Sequence, residues 1–265
     1  MKYSSLLIYL LIAFLVRVSN AQEAAPKEPE VAPQPTRNAT GLQIGVADTK
    51  DLQFPDGTED LAEKGALAAA DREWAKSREI YLEILEKDPD NALTLSNLGA
   101  IEFRTGNLEK AVEYLEFSLR EAPTIAQNWL TLGLIHYRQG HSNLAISSLT
   151  RSLHEDPGDP RAHNYLAIVI RERGWNLAAE TELQRAIVLD PGYADAHFNL
   201  AVMYLDKTPP ALELARRHYH AARDYGAEPD ESIVAKLKPP APKKEGATDS
   251  DSDSEPEAEK ETKEP

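Results

Sequence analysis

Seven histidines are the residues with the widest reach in acid–base or metal chemistry, and their spacing decides how far they go. His218 and His220 stand two apart, so a helix turns them to different faces and they make a poor metal pair. His163 and His197 fall in register with Trp129 at steps of 34 residues. That placement predicts packing against an adjoining helix, with a hydrogen bond for a ring nitrogen. His136, His141 and His154 are scattered. The run Asp249-Ser250-Asp251-Ser252-Asp253 opens like a calcium-binding loop, but Ser254 takes the glycine position and Lys260 that of the distant glutamate ligand. It reads instead as a solvated tail. Cysteine is absent, which removes disulfides, thiolate metal sites and a thiol nucleophile. No Ser-His-Asp arrangement, phosphate-cradling glycine loop or helical histidine pair around a glutamate is present. The sequence therefore predicts no enzyme: no catalytic residue, no metal ligand and no cofactor.

What positions the remaining polar residues is a repeat. Gly65, Gly99, Gly133, Ala167 and Ala201 are small residues at a spacing of 34, and Leu98, Leu132, Leu166 and Leu200 sit one place before the last four. Pro89, Pro123, Pro157 and Pro191 keep the same period, as do Gly106, Gly140 and Gly174. Ser77, Ala111, Ala145 and Ala179 form a second small column, beside a large one of Tyr81, Leu115, Leu149 and Leu183. Such repetition identifies a solenoid of helical hairpins. Small residues let two helices approach, glycine turns the chain between them, and proline separates one hairpin from the next.

Trp129, Leu132, Gly133, Gly140, Ala145, Leu149 and Pro157 resemble the tetratricopeptide repeat motif, a likeness that spans roughly residues 58–228. The resemblance implies an all-α solenoid of five helix-turn-helix repeats: 58–90, 91–124, 125–158, 159–192 and 193–228. Lys64 departs from the usual leucine, as a partly solvated terminal repeat tolerates. The fifth repeat is irregular around Asp206-Lys207-Thr208-Pro209-Pro210 and returns to pattern about two residues late. Residues 229–240 read as a short capping helix, which solenoids require at an exposed end. No coiled-coil heptad pattern competes with this reading.

The resemblance also implies a concave groove lined by the first helix of each hairpin, engaging a peptide or protein partner. The groove positions expected here are Asn97, Arg104, Gln127, Thr131, Tyr137, Arg138, Arg161, Asn164, Tyr165, Arg171 and Asn199, with Ser96, Leu134, Ile168, Phe198 and Val202 among them. Arginine forks suit carboxylates, and asparagine suits a peptide backbone. The family's carboxylate clamp of Lys and Asn lacks its lysines here, so that ligand class is not expected.

The flanks set the context. Lys2, the apolar run Leu6–Val16 and Ser19-Asn20-Ala21 make a secretory signal pattern over residues 1–21 with cleavage after Ala21, and the run is too short for a bilayer span. Residues 22–57, rich in Pro, Ala and Glu, read as a disordered tether, and 241–265 as an acidic disordered tail. A net charge of −15 disfavours nucleic-acid partners and anionic membrane surfaces. The expected protein is an exported, periplasmic or secreted adaptor or scaffold. The alternative is a permanent structural subunit of a secretion, pilus or polysaccharide-export assembly.

Overall fold

The computed structural model describes residues 52–238, so the expected signal segment, nearly all of the tether, and the acidic tail lie outside the described residues. Five antiparallel hairpins and a short final helix make up the described chain. The first pairs α1 (Glu59–Ala70) with α2 (Trp74–Lys87), the second α3 (Ala92–Thr105) with α4 (Leu108–Glu121). The third joins α5 (Ala126–Arg138) to α6 (Ser142–Glu155), the fourth α7 (Pro160–Glu172) to α8 (Asn176–Leu189). The fifth is α9 (Ala194–Leu205) with α10 (Leu212–Asp224), and α11 (Glu231–Leu237) follows. The fold is an all-α solenoid.

Local chemistry sets each hairpin. Gly106, Gly140 and Gly174 take the left-handed conformation at φ 85°, 76° and 82°. Each lets the next N–H reach back to a carbonyl five residues earlier, as Asn107 does to Glu102 at 2.8 Å. Asn91 and Asp159 cap α3 and α7 by accepting from the Thr94 and Arg161 backbone N–H groups. Within hairpins, a Cβ on Gly99 would stand 2.7 Å from Leu115 Cγ, and one on Gly133 2.6 Å from Leu149 Cγ. Both helices approach so closely that only glycine fits. Ser118 Oγ and Ser152 Oγ then bond the Ala92 and Ala126 carbonyls across the hairpins, at 2.6 and 2.9 Å. Each gives a carbonyl at the start of the first helix a second donor and ties the two helices of the hairpin together.

Stacking buries the rest. Leu98 and Ile101 of the second hairpin close over Tyr81 and Ile84 of the first, and equivalent apolar clusters join each later pair. Residues 52–57, assigned from composition to the tether, are different in the structure: Phe54 packs against the first cluster and stacks on Tyr81 at 6.3 Å. Asn91 Nδ2 also donates to the Gln53 carbonyl at 2.8 Å. Two apolar side chains, Leu52 and Phe54, draw the end of the segment onto the stack despite its Pro-rich start.

The fifth hairpin carries the expected lag. Tyr219 stands 36 residues after Leu183, and Ala215 36 after Ala179, all buried. α11 closes the end by burying Ile233 and Leu237 in the last cluster. Arg216 Nη2 bonds the Leu237 carbonyl at 2.9 Å, and the Asp230 N–H donates to Tyr219 Oη at 2.9 Å.

Candidate partner-binding groove

The first helices of successive hairpins lie against one another, α3 on α5, α5 on α7 and α7 on α9, and so form a continuous inner face. Its floor is polar and internally satisfied. Asn97 is 6% exposed and donates to its own helix at Leu93 O. Ser96 Oγ donates to Asn128 Oδ1 at 2.6 Å, while Asn128 Nδ2 donates to Ser118 Oγ. Thr131 is buried and bonded to the Gln127 carbonyl. Asn199 Nδ2 donates to Oδ1 of the buried Asn164 at 2.8 Å, joining hairpins four and five. Ser96, Asn97, Thr131 and Asn164, expected to face a ligand, instead spend their hydrogen-bonding capacity inside the stack. The cause is the close approach of the first helices, which takes water away from these positions.

Along the rim the pattern is a ladder with a step of 35 residues. Arg138 lies over the Phe103 ring at 4.5 Å, Tyr137 Oη donates to Glu172 Oε1 at 2.7 Å, and Arg171 Nη2 donates to Asp206 Oδ2 at 2.6 Å. Each rung joins the end of one first helix to the end of the next. The bond to Glu172, with burial added, raises the Tyr137 hydroxyl to about 12. Arg161 is held twice, by Asp159 at 2.6 Å and by Gln127 Oε1 at 2.8 Å. Burial works against its charge, but the Asp159 hydrogen bond and charge outweigh burial and raise its pKa.

Arg104 and Arg138 are left. Among the described residues neither has a carboxylate within ion-pair distance. Burial lowers the Arg104 pKa, and the like charges of Arg138 and Arg72 lower it further. Half-buried Tyr165 lies within the field of Arg138, Arg161 and Arg104, with Asp195 acting in the opposite sense; burial dominates and raises its pKa. Sequence reasoning missed the partners Phe103, Glu172 and Asp206, although a 35-residue step with complementary types was there to find. It missed Arg72 as well. Arg72 occupies the column of Gly106, Gly140 and Gly174, and adopts their left-handed backbone at φ 61°.

The histidine column packs as expected. Trp129 Nε1 donates to Pro123 O at 2.8 Å, and His163 and His197 use Nε2 in the same way on Pro157 O and Pro191 O. A carbonyl only accepts, so both Nε2 atoms carry hydrogen. His197 Nδ1 then meets His218 Nδ1 at 3.0 Å. His218 stands where Glu182 stands one hairpin earlier, displaced by the two-residue lag, and Glu182 bonds His163 Nδ1 at 2.6 Å. Burial, then His197 and Arg217, drop the His218 pKa to about 4. Among the described residues no group of three or more His, Asp or Glu side chains converges as a metal site. A shallow concavity on α2 takes its walls from that helix alone, with Arg78, Glu79, Glu83 and Glu86 among them.

Two family models for the tetratricopeptide repeat match residues 80–113 and 130–175. Those two stretches match the tetratricopeptide repeat, and the hairpins stack as a tetratricopeptide-like solenoid. The first match is one period long and runs from mid-α2 to mid-α4, a frame that begins in a second helix and closes on the next. Solved tetratricopeptide structures share the fold. MamA aligns with a TM-score of 0.54 at 22% identity, covering 65% of this chain and 96% of that one. MamA from Desulfovibrio magneticus RS-1 aligns at 0.56 and 17% identity, with 65% and 97% covered. YrrB, described as a TPR protein with an unusual peptide-binding site, aligns at 0.53 and 21% identity, with 67% and 90% covered. No curated protein sequence matches the chain significantly. No described helix of the stack is long and apolar enough to cross a membrane.

Proposed function

We propose that the chain is an exported, non-catalytic adaptor that holds an extended peptide or protein segment in its concave groove. Export is read from the signal pattern of residues 1–21, with cleavage after Ala21 and a periplasmic or secreted destination. One observation carries the binding reading. Arg104 and Arg138 lack carboxylate partners among the described residues, on a rim where Arg171 is paired with Asp206, and they lie within the field of half-buried Tyr165. Arginine and tyrosine are the side chains that most often anchor interfaces. The likeness to a tetratricopeptide protein described with a peptide-binding site supports the same reading.

Crosslinking mass spectrometry on intact cells tests it, comparing wild type with the Arg104→Glu and Arg138→Glu double variant. The expected outcome is loss of most crosslinked partners, because reversing two rim charges converts attraction for a carboxylate-bearing segment into repulsion. An unchanged set of partners rules the groove out.

A second reading, a permanent subunit of a larger envelope assembly, is favoured by a different surface. Leu177 and Val188 of α8 are 82% and 79% exposed, and Trp175 and Leu189 lie at its two ends, also exposed. Apolar side chains gathered on one outer helix mark contact surfaces more often than scattered ones do. Native extract on a sizing column separates the two readings: a permanent subunit elutes only in a large complex, an adaptor also as free chain.

A further inference from the structure

We propose that the groove takes a segment charged oppositely at its two ends, with an acidic group on Arg104 and Arg138 and a lysine or arginine of the ligand on Asp195. The inference rests on the groove reading above and names the class of segment that the groove accepts.

Asp195 supplies the first argument. It sits in the first turn of α9, in the same column as Gln127 and Arg161. Arg161 is the cation best placed to neutralise it, and Arg161 is turned the other way, onto Asp159 of its own helix cap and Gln127 of the preceding hairpin. One period beyond Asp195 stands Pro229, and two places further Glu231, neither of them a cation. The helix N-terminus favours a carboxylate there without neutralising it. Asp195 is open to solvent, yet packing around its carboxyl raises its pKa, and no bonded donor or nearby cation acts in the other direction.

The second argument is the balance of charge along the groove. Asp206 cancels Arg171, and Asp159 cancels Arg161. Glu172 is bonded to the Tyr137 hydroxyl, a neutral partner, so its negative charge stays. Among these groove positions, what is left over is positive on the second and third hairpins, at Arg104 and Arg138. On the fourth and fifth it is negative, at Glu172 and Asp195. Burial acts on both ends alike, lowering the Arg104 pKa and raising that of Asp195. A partly desolvated charge without a counter-charge is a cost that a ligand group of opposite sign relieves.

The third argument is placement. Tyr165 stands between the two ends, since Asp195 acts on its hydroxyl in one sense and Arg104 and Arg138 in the other. It makes no hydrogen bond among the described residues, which leaves that hydroxyl for a ligand backbone. Asp206 matches Arg138 in the repeat and lies eleven residues beyond Asp195. Asp195 is therefore offset from Arg138 by about 16 Å along the helices and by about two helix spacings of 8–10 Å across them. An extended ligand at roughly 3.3 Å per residue, helped by the reach of the side chains, then carries its two charges about five to eight residues apart.

The full chain, fluorescently labelled, is offered a bead library of random peptides about twelve residues long, enough extended chain to span both ends. The peptides are acetylated and amidated, so only side chains carry charge. At about 50 mM salt, where charges are weakly screened, the bound beads are expected to be enriched several-fold in peptides with an acid and a base at that separation. Asp195→Asn is expected to erase the basic preference and keep the acidic one, and Asp195→Lys to reverse the basic one. Arg104→Gln with Arg138→Gln is expected to erase the acidic preference and keep the basic one. Asparagine keeps the shape of the side chain, so Asp195→Asn carries the test even where Asp195→Lys unfolds. A basic preference that survives Asp195→Asn overturns the proposal, because attraction to the net charge of −15 outlasts the loss of one carboxylate. An acidic preference with no basic one in the wild type overturns it too, and leaves the groove reading standing. An acidic preference that the arginine pair does not alter, or a library with no enriched class, overturns both.

Discussion

The second and third hairpins and the fourth and fifth are built to one plan but spend it differently. Upstream, glycine at 99 and 133 brings the helices so close that a methyl group has no room. Downstream the same column holds Ala167 and Ala201, both fully buried. Ser118 and Ser152 tie the hairpins upstream through a carbonyl, whereas the same column downstream is Ala186. On the rim the order reverses: downstream, Glu172 and Asp206 accept from Tyr137 and Arg171, and upstream Arg104 and Arg138 have no carboxylate partner among the described residues. The upstream half has the tightest core and the least settled surface. A binding site needs such a combination, because a rigid frame lets unpaired charges stay unpaired until a ligand arrives.

The largest effect that would break this comparison comes from the small column. Gly133→Val places branched carbon against Leu149 Cγ and is expected to cost about 3 kcal/mol by overpacking. Ala167→Gly costs only about 1 kcal/mol, through backbone entropy. Denaturant unfolding of the two variants measures the gap, and equal losses would erase the distinction between the halves.

Next comes the junction of the first two hairpins. Glu102, 3% exposed as a side chain, lies 2.6 Å from Arg78 Nε and accepts a bond from Arg78 Nη2 at 3.0 Å and another from Asn107 Nδ2 at 2.6 Å. The Nε contact is off the hydrogen-bonding angle, so Nη2 carries the bond. Glu102→Ala strands a partly buried guanidinium and is expected to cost about 2 kcal/mol. Asp206→Ala, at an exposed rung, costs under about 1 kcal/mol.

The downstream half carries a pH response at His218; upstream, burial first and then His141 lower the His136 pKa in the same direction. Folded His218 titrates at about 4 against an ordinary 6.5, so below pH 6.5 the unfolded chain binds more protons. Stability is full above about 6.5 and is lost as pH falls toward 4, when a charged His218 ring would have to sit half-buried 3.0 Å from His197 Nδ1. Hydrogen exchange across that range should rise in α9 and α10 before α3 and α4, and His218→Gln should flatten the difference. The smallest effect is expected from Arg171→Gln, a few tenths of a kcal/mol, because Asp206 is half exposed and screened.

The all-α solenoid was legible because glycine, proline and small residues recur for steric reasons that a periodic sequence must display. The groove was legible as a face but not as a site. Asn97, Thr131 and Asn164 look like ligand-facing polar residues, yet their burial depends on how far neighbouring hairpins close, which no single repeat encodes. Arg171 and Arg161 looked available, and their carboxylate partners come from the next hairpin or from the cap of their own helix. Composition misplaced Leu52 and Phe54 for the opposite reason: two apolar residues are too few to shift an average but enough to seat a segment.

The ladder on the inner rim has a mechanical consequence. Its three rungs fasten hairpin to hairpin on one edge of the stack, as stitches fasten one edge of a ribbon. Pulling the ends apart loads that edge first. The Arg171–Asp206 rung is half exposed and the Phe103–Arg138 rung is a ring contact of similar strength, so the edge is held by the three rungs together and by none of them alone.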